Sequence, residues 1–276
     1  MEYRYQRRYQ GPIKGVLLDL AGTVVDFGSC APALAFVELF RRRGVKVTMA
    51  QAREPMGTHK LDHIRRLAAR PEVAAQWRQA YGAELTEKDI RSLYEEFIPL
   101  QVEILPEHGR VFPGVPALIE AWRKRGIKIG VTTGYNQVMM DVVLKNMAAQ
   151  GLVPDAVVSA DQVARGRPAP WMIFRAMEAL SVWPPEAVVN IGDTLPDVEA
   201  GLNAGVWSVG VVKTGNMVGL TREEMNARPP AELDHLLEQA RTEMLRAGAH
   251  FVAEELADGG PVLARIEERL SQGRRP

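Results

Sequence analysis

An α/β fold, in which a parallel sheet is covered by helices and interrupted by an inserted helical domain, is predicted by three features of this 276-residue chain. Short, continuously apolar runs alternate with helical segments, as expected of strands buried on both faces. Aspartates and threonines end several of those runs, where open parallel sheets place their ligands. Between the first run and the second, the stretch from about Gly28 to Pro106 carries helical periodicity and no strand pattern.

The first strand is Gly15 to Leu20. Residues 28–105 then form the insertion, which leaves 1–27 and 106–276 as the two parts of the core. Within the insertion, Ala33 to Arg43 puts Leu34, Val37 and Phe40 at helical spacing and ends in basic residues and Gly44. Thr48 and Gln51 make a capping box for a helix that reaches Glu54 and stops before Pro55. Further helices are predicted from Thr58 to Ala68, Val73 to Tyr81 and Thr86 to about Leu105. In the second part of the core, strands Ile127 to Thr132, Ala156 to Ser159, Ala187 to Ile191 and Val206 to Val212 alternate with helices Val115 to Arg125, Val138 to Gln150 and Trp171 to Leu180. Thr221 with Glu224 starts another helix, a second follows, and Ala249 to Val252 adds an edge strand.

Composition narrows the function classes. The chain is 46% hydrophobic, enough for a substantial core, and its 34 basic residues balance 34 acidic ones. No overall field therefore attracts nucleic acid or an anionic membrane, and the Arg4, Arg7, Arg8 cluster reads as a solvated terminus. The single Cys30 excludes an intramolecular disulfide and suits a reducing, cytoplasmic setting. No apolar run of about 18 residues is present, so no membrane span is expected.

Lys60 is out of place on its helix. Leu61, Ile64, Leu67 and Ala68 form an apolar face, with Thr58 as the expected N-cap, and Lys60 lies on that face. Lost hydration and the positive end of the helix dipole both push its pKa down. A neutral amine is a nucleophile. Taken alone, such a lysine is more simply read as reaching past Ile64 to water.

The strand ends supply the other half of the chemistry. Asp19-Leu20-Ala21-Gly22-Thr23 follows the first strand, Thr132-Thr133-Gly134 ends the second, Gly166-Arg167-Pro168 follows the third, and Gly192-Asp193-Thr194-Leu195-Pro196-Asp197 follows the fourth. Each alone fits a helix cap or turn. Together they converge as three carboxylates, a hydroxyl and an arginine, a hard oxygen site suited to a divalent cation and a phosphoryl group.

In that order these motifs resemble the haloacid dehalogenase superfamily, and the helical insertion resembles its cap domain. Phosphatases of that superfamily carry a second aspartate two positions after the nucleophile, to protonate a leaving alcohol; here that position is Ala21. A phosphonate releases carbon, for which an oxygen-directed acid is of little use, whereas an imine on a lysine provides an electron sink. Asp-x-Ala-Gly-Thr at Asp19 to Thr23, Pro-Met-Gly-x-x-Lys-x-Asp-His at Pro55 to His63, Thr-Thr-Gly-Tyr at Thr132 to Tyr135 and the Ala164 to Met172 block are similar to the phosphonoacetaldehyde hydrolase family.

The resemblance implies hydrolysis of a phosphorus–carbon bond, with Lys60 as imine former and Asp19 as nucleophile. It implies Mg²⁺ bound by Asp19, the Ala21 carbonyl and Asp193, with Asp197 supporting the metal's water shell. Thr133, Gly134 and Arg167 would hold phosphoryl oxygens, with Tyr135 beside the substrate. Met56 either packs near Lys60 or is a plain core residue, and His63 either shuttles protons or is a surface histidine; His59 is expected to face solvent. Ser29 stands where many relatives have cysteine, and Leu20 where tryptophan is common. A small phosphonate substrate and a homodimer joined through cap helices are also implied. Alternatives are a magnesium-dependent phosphatase or phosphomutase of the same superfamily, a dehalogenase, and a non-catalytic phosphometabolite-binding protein.

Overall fold

The computed structural model describes residues 9–276. The Arg4, Arg7, Arg8 cluster lies outside the described residues. The central element is β1 (Gly15–Leu18), a buried Gly-Val-Leu-Leu run. Beside it lie β2 (Lys128–Thr133), β3 (Ala156–Ser159), β4 (Val188–Gly192), β5 (Trp207–Val211) and β6 (Phe251–Ala253). They form one sheet in the order β3-β2-β1-β4-β5-β6, and every pairing is parallel.

This order places a ligand site. The chain leaves β1 for one half of the sheet and returns through β4 to build the other, so a crevice opens at the C-terminal ends of these two strands. Leu18 is paired with both Val131 of β2 and Ile191 of β4. The residues just beyond β1, β2 and β4 therefore emerge side by side. Continuously apolar strands are what such burial requires, since helices cover both faces.

Between β1 and β2 the chain forms α1 (Cys30–Arg42), α2 (Met49–Arg53), α3 (Lys60–Ala68), α4 (Pro71–Tyr81), α5 (Glu87–His108) and α6 (Val115–Lys124). The remaining helices are α7 (Gln137–Ala149), α8 (Trp171–Leu180), α9 (Leu195–Ala204), α10 (Arg222–Ala227), α11 (Pro230–Arg246) and α12 (Gly259–Ser271). Capping boxes start α2 at Thr48, α5 at Thr86 and α10 at Thr221, and Thr48 with Gln51 and Thr221 with Glu224 do so as their spacing predicts.

Three expectations need correction. Helix α1 begins at Cys30, three residues before the expected Ala33, because the buried Asp26 carboxylate accepts from the backbone N–H groups of Cys30 and Ala31 at 3.0 and 3.1 Å. Its buried face is Phe36, Leu39 and Phe40, while Leu34 is 42% exposed. The earlier start adds a turn, and packing of α1 on α5 selects the face, with Phe36 and Phe97 rings stacked at 4.3 Å. Helix α3 is capped by His59, whose Nδ1 accepts from the Leu61 N–H at 3.2 Å; the Thr58 hydroxyl donates to the Pro55 carbonyl instead, at 2.7 Å. Helix α12 lies beyond the elements expected from the sequence; it opens on Gly259 and Gly260, which give no strong start signal.

Candidate active site

The position of Asp19, the expected nucleophile, is set by the end of β1. Asp19 N–H donates to the Ile191 carbonyl at 2.9 Å, continuing the ladder with β4 by one residue, and then the chain turns through Gly22 at φ +79°. A Cβ at Gly22 would stand 2.2 Å from Oδ2 of Asp193, so only glycine lets the turn lie against that carboxylate. Asp193 follows β4, and its Oδ2 accepts from the Asn216 N–H at 2.7 Å. Asp197, on the first turn of α9, accepts at Oδ2 from the Thr194 N–H at 3.1 Å and from the Thr194 hydroxyl.

Arg167 is threaded between these acids. One guanidinium nitrogen lies 2.9 Å from Oδ1 of Asp19 and the other 2.9 Å from Oδ1 of Asp197. It also donates to the Thr132 carbonyl and hydroxyl at 2.6 and 2.9 Å, which ties it to the end of β2. Oxygens of Asp19, Asp193 and Asp197 all lie within 4.8 Å of one another.

All four groups are buried. If ionised, three carboxylates and one guanidinium leave two negative charges uncompensated away from water, which protons or a cation must offset. Burial pushes Asp193 well above the ordinary carboxylate range, and the neighbouring Asp19 and Asp197 charges push it further. Burial likewise lifts Asp197 to about 7, although Arg167 opposes the rise. Oδ1 of Asp193 is buried without a hydrogen-bond partner among the described residues. An orphaned carboxylate oxygen in a cluster short of positive charge fits a hard divalent cation, so the acidic triad can hold a metal ion.

The opposite wall comes from the helical insertion. Lys60 is 5% exposed, and the surface-reaching alternative does not hold. Its Nζ lies 3.9 Å from the Met56 sulfur, with the ring centres of Tyr135 and Phe36 at 5.2 and 5.7 Å. Met56 therefore packs against Lys60. Burial lowers the lysine pKa to about 8, despite the opposing pull of Asp19. At pH 7 roughly one molecule in eleven then carries the free amine, and neutralising it costs about 1.4 kcal/mol rather than the ~4.6 kcal/mol of an ordinary lysine.

Asp19, Ala21, Met56, Lys60, Thr133, Gly134, Tyr135, Arg167 and Asp193 line one pocket, together with Ser29, Pro32, Gly57 and Thr194. Tyr135 is 2% exposed and its hydroxyl has no partner among the described residues. Oγ1 of Thr133 accepts from the Tyr135 N–H at 3.2 Å. Glycine closes both sides of the seam. A Cβ on Gly57 would stand 2.2 Å from Oγ1 of Thr194, and one on Gly134 would stand 2.9 Å from the Thr58 carbonyl oxygen.

Two expected residues are not in the lining. Asp197 lies behind Arg167. His63 is fully buried, which corrects the surface alternative: its ring stacks on Phe36 at 3.7 Å, and its Nε2 is 2.9 Å from the Ala52 carbonyl, which can only accept. Nε2 thus carries the proton, Nδ1 has no partner among the described residues, and burial keeps the ring neutral. His59 is half-buried, serving as the α3 cap and facing the Tyr94 ring, and does not point into water as expected. Ser29 reaches the pocket while Cys30 packs against Arg53. Leu20 is fully buried. Sequence reasoning missed Asp26 and Asn216; the Asp-x-Gly ahead of a helical pattern was the available signal for the first, and a lone asparagine in a loop gave none for the second.

A family model for haloacid dehalogenase-like hydrolases matches residues 13–205. The chain is 44% identical over 268 residues to a phosphonoacetaldehyde hydrolase of Syntrophobacter fumaroxidans, covering 97% of each, and 44% identical over 276 residues to one of Hahella chejuensis, covering 100% of this chain and 94% of that one. The crystal structure of a phosphonoacetaldehyde hydrolase-like protein from Oleispira antarctica superposes with a TM-score of 0.97 at 39% identity, over the whole of both chains. The chain belongs to the haloacid dehalogenase-like hydrolases and, within them, to the phosphonoacetaldehyde hydrolase family.

Proposed function

We propose that this enzyme hydrolyses phosphonoacetaldehyde to acetaldehyde and phosphate, with residues 28–105 acting as a cap over the sheet domain. The observation that carries this reading is a buried, partly neutral lysine facing a buried aspartate across one pocket, each delivered by a different part of the chain. The missing second aspartate at Ala21 supports carbon rather than alkoxide as the leaving group.

Lys60 attacks the aldehyde carbon, and loss of water leaves an imine. Nδ1 of the neutral His63, and the Tyr135 hydroxyl, are the nearby groups proposed to relay the protons of that step. Asp19 then attacks phosphorus; the P–C electron pair moves into the imine to give an enamine, and the phosphoryl group becomes an aspartyl phosphate. Protonation of the enamine carbon and attack by one water release acetaldehyde and free Lys60. A second water cleaves the aspartyl phosphate and frees phosphate. Arg167, Thr133 and the Gly134 backbone orient the phosphoryl oxygens, and Met56 keeps water from the amine.

Mg²⁺ would be held by Asp19, the Ala21 carbonyl and Asp193, with Asp197 supporting its water shell, and would supply charge neutralisation at the transferring phosphoryl group. A homodimer through the cap helices and a cytoplasmic location belong to the same reading; no helix among the described residues is long and apolar enough to cross a membrane, and Cys30 is free and buried.

The test is release of acetaldehyde and phosphate from phosphonoacetaldehyde, with and without Mg²⁺. Equal amounts of the two products, lost when EDTA is added, are expected. Faster turnover of simple phosphomonoesters would instead favour a phosphatase.

A further inference from the structure

Arg53 and Asn216 form bonds that neither wall of the pocket explains. From the last turn of α2, Nη1 of Arg53 donates to the Gly28 and Ser29 carbonyls at 2.5 and 3.3 Å, on the chain leading into α1, and to Oδ1 of Asn216 at 3.3 Å. Asn216 returns the bond, its Nδ2 donating to the Arg53 carbonyl at 3.2 Å. Asn216 stands in the loop after β5, and its backbone N–H is the donor that holds Oδ2 of Asp193 at 2.7 Å.

The rest of that loop binds the same elements. The Thr214 hydroxyl donates to the Gly22 carbonyl at 2.6 Å, and the Thr214 carbonyl accepts from the Gly28 N–H at 2.7 Å. Gly219, at φ +64°, lies so close to Arg53 that a Cβ would stand 2.9 Å from its Nε. A Cβ on Gly215 would stand 2.6 Å from that of Asp193. One loop of the sheet domain thus touches the nucleophile turn, the entry to the insertion, the insertion's second helix and the carboxylate with the unpartnered oxygen. Because hydrogen bonds are directional, the reciprocal Arg53–Asn216 pair forms only when the insertion sits at this angle on the sheet.

We propose that Arg53 and Asn216 are positioning residues, a clasp that keeps the helical insertion seated on the sheet while the same loop aims Asp193 into the pocket. The kinetic consequence rests on the function proposed above; the seating itself does not. Opening the clasp lowers the fraction of molecules in which Lys60 faces Asp19, and apparent substrate affinity falls by that fraction.

Hydrogen exchange of Asn216→Ala and Arg53→Met, read by mass spectrometry without substrate, tests the clasp. Peptides across 55–62 are expected to exchange about tenfold faster than in the unsubstituted protein, while β4 peptides across 188–192 stay unchanged. With phosphonoacetaldehyde, KM should rise about tenfold with kcat within about twofold, and the double variant should be no worse than the more severe single one. Unchanged exchange across 55–62, additive effects, or loss of protection in β4 as well would each overturn the clasp. Failure of the substrate assignment would leave the exchange result standing, so the two failures are distinguishable.

Discussion

On the sheet side of the pocket two of three clustered, buried carboxylates share an arginine and the cluster still lacks positive charge, whereas on the helical side Lys60 is just as buried with a thioether and two aromatic faces around its amine. Burial disfavours charge on both sides, and the consequences are opposite. It raises Asp193 and Asp197 and so favours capture of a cation; it lowers the lysine to about 8 and so favours an uncharged nucleophile. One pocket thereby keeps an electrophile-binding floor and an amine-bearing roof from neutralising each other, because the two are delivered by separate parts of the chain.

The sharpest way to separate the two sides is to disable one at a time. Asp19→Asn should lower kcat by about 10⁴-fold or more, and Lys60→Arg by a similar factor, since each removes a covalent step. Only Asp19→Asn should still form the imine. Equal trapping in both variants would break the division of labour.

Next in size is the seam between the sides. Gly57 has φ +86°, and a Cβ there would meet Thr194 at 2.2 Å. Gly57→Ala should shift the helical insertion by about an ångström and lower kcat/KM by about 100-fold, with a small change in Tm. Normal kinetics in this variant would show that the two sides need no such close approach.

The lysine pKa gives a smaller effect with a definite sign. Deprotonation creates the nucleophile, so log(kcat/KM) should climb with a slope near one from about pH 6 and level off above about pH 8. A flat profile below pH 8 would contradict a rate that depends on the free amine.

Stability should change in a complementary way. Folding lowers the Lys60 pKa from 10.5 to about 8, so the penalty on its charged form is full below pH 8 and fades as pH rises toward 10.5. Lys60→Met should therefore stabilise the inactive protein by about 1–3 kcal/mol at pH 7, a range that already includes the loss of the attraction to Asp19. The gain should shrink by pH 10 in urea denaturation.

Much of this contrast was legible in the sequence. Apolar runs ending in aspartate or threonine put Asp19, Thr133 and Asp193 at strand ends, and all three line one pocket, because in a parallel sheet the strand end and the ligand crevice coincide. Lys60 was legible as a charge on an apolar helical face. His63 was not, since one turn beyond Lys60 it lies at the edge of that face, and only packing of Phe36 from α1 decides that it is buried. The N-cap of α3 was misplaced by one residue because Thr58 and His59 can both cap, and the Pro55 carbonyl claims the threonine hydroxyl. Asn216 holds Asp193 through its backbone N–H, which any residue but proline provides, and its side-chain bonds to Arg53 span 163 positions, so no local pattern announces either.

The most direct measurement is borohydride reduction in the presence of phosphonoacetaldehyde, followed by peptide mapping. A buried amine working as the electron sink predicts a single reduced adduct on Lys60, formed by the unsubstituted protein and by Asp19→Asn, and absent from Lys60→Arg. Full turnover by an enzyme in which no adduct forms on Lys60 would contradict it.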